Sequence, residues 1–367
     1  MILMASVALL ASLYGDAPDT LHAWAVHDYN RPKPAKVEVN AKGVPSDAIV
    51  LFDGTKESLD KNWCDEKGQP TKWTVKDGAF ESISGWGLGS VRTREEFGDC
   101  QLHIEYRHDP RQLLHDKGPQ MRGNSGVFLM GSQYGYEIQV LESYFTSKDL
   151  DGKDGFVDNY TDGQAGSVYA ENPPMVNPQN KPGEWQTYDI VFHQPVWKDG
   201  KLVHPGSVTV FFNGVLVQDA WEMEGQTTHC KRRPLQPHPA TGPLLLQDHG
   251  CQVAFRNVWI RKIPSRWDNL THSVMSADPK AVAALRAETA ARLYAKIADP
   301  KKSDAATLKA LAEVISYDNS GVYAKDFLAC LEAYRANKGD AAEVKGVNGQ
   351  LDVLIRSKVI SEELKIK

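Results

Sequence analysis

Glu137, Gln139 and Glu142 are the residues whose types and spacing point most directly to chemistry. They stand in Tyr136-Glu137-Ile138-Gln139-Val140-Leu141-Glu142, a short turn after Asn124-Ser125-Gly126-Val127-Phe128-Leu129-Met130-Gly131. The pattern predicts two strands. Residues two apart on a strand share a face, so Glu137 and Gln139 project together. Glu142 joins them only if a bulge adds one residue to the strand. Carboxylates on a sheet face are costly to bury without a purpose. A pair of them is the acid and base hardware of glycoside chemistry. Tyr134, Tyr136, Tyr144 and Phe145 flank the set, and aromatic faces beside polar groups suit a sugar ring.

Three further groups could join them. Gln247-Asp248-His249-Gly250 lies between two apolar strands, at a sheet end. His249 is its titrating group near neutral pH. Arg107 continues the polar face of Gln101, His103 and Glu105, where it could hold Glu137 or a substrate oxygen. Asn124 sits in Arg122-Gly123-Asn124-Ser125-Gly126, and Tyr169 in Ala165-Gly166-Ser167-Val168-Tyr169 could reach over a site. Each has an ordinary structural alternative: a solvated face, an Asp248-capped turn, a surface arginine, a packed loop tyrosine. The lone His193, His204, His229 and His238 read as structural. No Cys-x-x-Cys or His-x-x-x-His spacing suggests zinc.

The elements that must position these residues are mostly strands. Short apolar or alternating runs recur with turn signals about every ten residues from Ile49 to Ile263. Asp77-Gly78 and Asn213-Gly214 are strong hairpin turns. With no helices between the runs, this predicts a mainly β domain over 48–264, an antiparallel two-sheet jelly roll. The segment from Thr146 to Asn180 is too long for an idle connection and is expected to fold over a site. After Pro264 the period changes. Asp278-Pro279 and Ser303-Asp304 open amphipathic helices, and two more follow, giving a small all-α domain over 277–367. Residues 18–47, broken by Pro32, Pro34 and Pro45, read as a leader or linker.

The chain has 367 residues and a net charge of -5, with its basic residues scattered. Nucleic acid is therefore not an expected partner. Residues 1–17 have the length and apolarity of a signal peptide, although no Lys or Arg precedes the apolar core. An exported protein, periplasmic or secreted and without a membrane span, is expected. Five cysteines are too few for a disulfide scaffold, though one bridge is compatible with export.

Taken in order, the residues resemble a known family. Leu51-Phe52-Asp53-Gly54, Trp73-x-Val75-x-Asp77-Gly78, Phe97-Gly98-Asp99-Cys100-Gln101-Leu102, Glu105-Tyr106-Arg107, Asn124-Ser125-Gly126-Val127, Tyr136-Glu137-Ile138-Gln139-Val140-Leu141, Ala165-Gly166-Ser167-Val168-Tyr169, Gly183-Glu184-Trp185, Gly242-Pro243-Leu244-x-Leu246-Gln247-Asp248-His249-Gly250 and Phe255-Arg256-Asn257-Val258 are similar to the 3-keto-disaccharide hydrolase family. The resemblance covers residues 49–263. It implies a concanavalin-like jelly roll, export and action on 3-keto sugars. A ketone at C3 acidifies the C2 proton, so its removal, loss of the C1 substituent and hydration together hydrolyse the glycoside. On this reading Glu137 or His249 is the base and Glu142 or Tyr169 the acid. Arg107, Asn124, Gln139, Trp185 and Gln247 bind substrate. A divalent metal held by carboxylate and histidine could serve the oxyanion, but the sequence does not demand one. An oxidised carbohydrate substrate implies a sugar 3-dehydrogenase upstream. The family usually carries aspartate where Glu142 stands, and the helical tail lies outside the resemblance. Two rivals remain. Glu-x-Gln-x-x-Glu resembles the strand motif of the laminarinase and lichenase β-glucan hydrolases, with Gln139 replacing their central aspartate. A lectin-like binding module without turnover would also suit the fold.

Overall fold

The computed structural model describes residues 16–110, 121–145, 158–266 and 278–367. Most of the expected signal peptide, and the 146–157 part of the long loop, lie outside the described residues. The chain divides into two compact units, one of residues 36–266 and one in which residues up to 35 join those from 267 onward.

Among the described residues, fifteen strands make up the larger unit: β1 (Ile49–Phe52), β2 (Trp63–Asp65), β3 (Thr74–Lys76), β4 (Ala79–Glu81), β5 (Val91–Phe97), β6 (Cys100–His108), β7 (Ser125–Leu129), β8 (Tyr136–Val140), β9 (Gln186–His193), β10 (Val196–Lys198), β11 (Lys201–His204), β12 (Ser207–Phe212), β13 (Val215–Glu222), β14 (Gly242–Leu246) and β15 (Val253–Lys262). One antiparallel sheet runs β13-β12-β9-β6-β15-β4-β3, with β1 also on β15. The second runs β2-β5-β14-β7-β8, and β10-β11 is a separate ribbon. The two large sheets bury a shared core and form the expected two-sheet jelly roll. Strict alternation builds it. On β6, Cys100, Leu102, Ile104, Tyr106 and His108 are buried while the residues between them face outward. Trp63, Trp73, Phe80 and Phe255 form an aromatic cluster inside. Each fully buried large apolar side chain contributes roughly 1.5–3 kcal/mol.

Both hairpin signals are realised. Asp77 and Gly78 have φ of 51° and 74°, and Asn213 and Gly214 have 50° and 79°. Two positive φ values match the right-handed twist of the flanking strands. Two short helices interrupt the β region where none was expected: α1 (Lys56–Asn62) and α2 (Gly131–Tyr134). The cue for α1 is Thr55, whose hydroxyl accepts from Ser58 N as an N-cap. All five cysteines are free thiols.

The second unit contains α3 (Pro279–Tyr294), α4 (Ala305–Tyr317), α5 (Gly321–Ala336) and α6 (Ala341–Arg356). Asp278 and Asp304 cap α3 and α4 through their side chains. Leu308, Leu311, Ile315, Phe327, Leu331, Leu351 and Leu354 form its core. Residues 16–35 differ from the expected linker, because they are built into this unit. Trp24 packs on Ala290, Val314 and Tyr317. The Tyr317 hydroxyl donates to Asp28, and Arg292 donates to the Asn30 carbonyl at 3.1 Å. The prolines that break regular structure there do not prevent side chains from docking. None of the described helices is long and apolar enough to cross a membrane.

Candidate functional site

The site grows from β8. Tyr136, Ile138 and Val140 point into the core, which sends Glu137 and Gln139 to the other face of the five-stranded sheet. The β7–β8 register runs without a shift from Ser125 opposite Val140 to Leu129 opposite Tyr136. No bulge therefore reverses the parity, and Glu142 falls on the inward side with Val140. There it bridges the sheets. Its carboxylate lies 3.5 Å from Nδ1 of His108 on β6, accepts from Gln179 Nε2 at 3.1 Å, and accepts from Tyr144 N at 2.8 Å. Glu142 is 4% exposed. The structure thus separates it from Glu137 and makes it an internal tie.

Glu137 lies over Gly126 of β7. A Cβ at residue 126 would come within 2.4 Å of Glu137 Oε1, so only glycine leaves room for the carboxyl. This gives Asn124-Ser125-Gly126-Val127 a physical reason. Glu137 is 3% exposed. Burial alone pushes its carboxyl up to about 8, with no charge or hydrogen bond opposing it. Gln139, also buried, accepts from Val140 N through its amide oxygen at 3.1 Å. Asn124 is buried just ahead of β7.

The long loop returns to cover the outer edge of β8. Gly166 N donates to Gln139 O, Gln139 N to Ser167 O, and Tyr169 N to Glu137 O, each at 3.0 Å. Val168 enters the core, which places Tyr169 on the Glu137 face. The Tyr169 hydroxyl pairs with that of Tyr160 at 2.7 Å and with His229 Nδ1 at 3.0 Å. Burial raises the Tyr169 phenol, and the pairing with Tyr160 and the charge of Glu137 raise it further. His229 Nε2 is 3.0 Å from Cys230 Sγ. Thr227 Oγ1 accepts from Glu137 N at 2.9 Å and anchors the His229 loop to β8. Tyr160, Tyr169, His229, Cys230, Lys231 and Arg232 line a cavity of about 290 Å³.

The Gln247–Gly250 turn closes the other side. Gln247 N donates to Gly126 O at 3.0 Å, beside the Glu137 carboxyl. Asp248 is fully used in holding backbone: its oxygens accept from Gly89 N at 2.9 Å and Gly250 N at 3.0 Å. His249 is left for the site. Its ring meets Trp86 at 5.1 Å, and its Nδ1 is buried without a partner. Burial lowers its pKa, and His229 nearby lowers it further. His249 is thus neutral near pH 7, whereas Glu137 holds its proton there.

Arg107 and Trp185 are not part of this cluster. Arg107 lies on the outward face of β6, in the other sheet. Its guanidinium sits 4.6 Å from the Trp185 ring centroid, and Arg256 sits 4.0 Å from the same ring. This face points away from the core on the side opposite to Glu137. The alternation that marked Arg107 as outward was read correctly, but a sequence cannot say which of two sheets a strand joins. We expect Arg107→Ala to leave kcat/KM within about threefold of wild type, as for a surface substitution away from the chemistry. A tenfold loss in steady-state assays would return Arg107 to the site.

Three contributors were missed in the sequence. His229 was set aside as a lone histidine, and its role depends on a contact with Tyr169, 60 residues away. Tyr160 carried no signal. Trp86 did: a large aromatic residue in Ser84-Gly85-Trp86-Gly87-Leu88-Gly89 has no regular element to pack it. Among the described residues no three His, Cys, Asp or Glu side chains converge as a metal site requires.

Comparison with known proteins agrees with the fold. Residues 47–261 match the family described as a 3-keto-alpha-glucoside-1,2-lyase-like domain. A solved structure of a candidate glycosyl hydrolase from Parabacteroides distasonis is 36% identical, with a TM-score of 0.54, over 63% of this chain and 93% of that one. A second from the same organism is 22% identical with a TM-score of 0.42, over 62% of this chain and all of that one. Among curated proteins none matches. The chain therefore belongs to the 3-keto-disaccharide hydrolase family, and its β domain is a carbohydrate-active, hydrolase-like jelly roll.

Proposed function

We propose that the protein cleaves 3-keto-glycosides, including 3-keto-disaccharides, by elimination and hydration. The observation that carries the reading is a carboxyl buried on the outer face of β8, with the turn that carries His249 hydrogen-bonded to Gly126 beside it. Glu137 is buried without an opposing charge, and the partial burial of His249 disfavours its charge. General acid–base catalysis needs one group with a proton to give and one able to take it. Two groups whose surroundings push them apart in this way assign the roles.

His249 takes the C2 proton, and the electron pair forms an enolate with oxygen at C3. The Tyr169 hydroxyl, held by Tyr160 and His229, donates to that oxygen. The enolate then collapses to the ketone, a C1–C2 double bond forms, and the C1–O bond breaks. Glu137 gives its proton to the departing oxygen. Water adds at C1 with Glu137 as base, and His249 returns a proton to C2. The net change is hydrolysis. On this reading Asn124, Gln139 and Gln247 bind hydroxyls. This moves the acid role from Glu142 or Tyr169 to Glu137.

A substrate oxidised at C3 also places a sugar 3-dehydrogenase earlier in the reaction sequence. Activity with and without a chelator tests for a metal contribution. The deciding experiment is turnover of a 3-keto-glucoside in deuterated water. The product should carry deuterium at C2. Hydrolysis with no label at C2 would sink the elimination route and favour direct displacement.

A further inference from the structure

We propose that Trp86 is the platform on which the keto-sugar ring stacks, a substrate-binding role that rests on the reaction proposed above. Three observations lead there.

The first is exposure. Trp86 is 68% exposed, in a loop whose Gly85, Gly87 and Gly89 all have positive φ. A large apolar side chain left open gains nothing for the fold. The second is its fastening. Gly85 N donates to Gly250 O at 2.9 Å, Gly89 N to Asp248 Oδ2 at 2.9 Å, and Asp248 N to Ser90 Oγ at 3.2 Å. The indole rests on Gly250, where a Cβ would come within 3.1 Å of it, and against the His249 ring. The loop is thus tied on both sides of an exposed ring, by the same turn that carries the base. The third is its surroundings. Gln247 Oε1 and His249 Nδ1 are buried polar atoms without partners. Such atoms are costly unless something bonds them. An aromatic face beside unmet polar groups is the composition of a sugar subsite.

The position selects which ring it takes. Trp86 touches His249, which acts at C2, so it lies on the keto-sugar side of the bond that breaks. On the same reading the cavity lined by Tyr169, His229 and Arg232 takes the leaving group.

The test is a kinetic split on two substrates, a 3-keto-disaccharide and methyl 3-keto-glucoside. Trp86→Ala should raise KM about tenfold for both, with kcat within about threefold, and Trp86→Phe should recover most of the loss. An effect confined to the disaccharide would assign Trp86 to the leaving group and overturn the proposal. So would a fall in kcat at constant KM, or no change. Binding of methyl glucoside, followed by saturation-transfer NMR, separates this idea from the reaction. If the wild type turns over no 3-keto-glycoside but binds methyl glucoside, and Trp86→Ala does not, the chemistry fails and the platform stands. If the wild type neither turns over nor binds, both fall.

Discussion

Glu137→Gln lowers kcat by about 10²–10⁴ on a 3-keto-disaccharide, because a buried amide has no proton to transfer to a departing sugar oxygen. The loss shrinks to about tenfold or less with a nitrophenyl leaving group, which departs with little protonic help. Equal losses on both substrates would remove Glu137 from the acid role. The pH profile is a second check. In the wild type, kcat/KM rises as His249 loses its proton below its ordinary value of 6.5, and falls as Glu137 ionises at about 8. The variant keeps the acid limb and loses the alkaline one.

The same substitution acts on stability, and the sign follows from linkage. The folded-state pKa of Glu137 is raised from 4.5 to about 8. Below 4.5 the carboxyl is protonated in both states. Between 4.5 and about 8 the unfolded chain has released this proton while the folded chain keeps it. This group's contribution therefore falls as pH rises across that window and levels off above it, a change of roughly a few kcal/mol. Glu137→Gln removes that slope. Thermal melts from pH 5 to 9 should show the variant gaining on the wild type as pH rises. Parallel curves would mean that Glu137 is not buried as a lone acid.

Glu142→Ala is the counterpart, with its large effect on folding instead of chemistry. Glu142 and His108 are 4% and 1% exposed as a pair between the sheets. Each buried polar group left without its partner costs about 1–3 kcal/mol, and His108 is one of them. Tyr144 N loses its acceptor as well, and Gln179 Nε2 keeps only the Leu141 carbonyl. The melting temperature should drop by roughly 10 °C for a domain of this size. Glu142→Gln, which keeps an acceptor oxygen, should lose less. Below the melting temperature, kcat of either variant stays within about threefold of wild type. An unchanged melt with a lost kcat would put Glu142 back into the chemistry.

These two carboxylates show where the sequence was legible and where it was not. Period-two alternation revealed the strands and the shared face of Glu137 and Gln139, and Asp77-Gly78 and Asn213-Gly214 revealed the hairpin turns, because each depends on near neighbours. The question about Glu142 was also visible, since a bulge was the one way to join it to that face. Its answer lay in the β7–β8 register and in His108, a strand away. Arg107 and Trp185 failed for the same reason: their outward position was local, but their sheet was not. His229 joined the candidate site through Tyr169, and residues 16–35 became part of the helical unit through Trp24 and Asp28. None of these is a short-range relation. The family motifs were read in order, but order alone did not reveal that they are distributed over both outer faces of the sandwich.

The segment 165–169 has a consequence beyond supplying Tyr169. β8 ends its sheet, so without that segment its backbone amides and carbonyls would stand open. An uncovered strand edge is a template for pairing with another chain. Here the cover is the piece of chain that brings Tyr169 to Glu137. Assembly of the site and protection from self-association are therefore one event. On the proposed role of Tyr169, a molecule whose loop has come away is at once inactive and adhesive, so selection against aggregation and selection for turnover act on the same few hydrogen bonds.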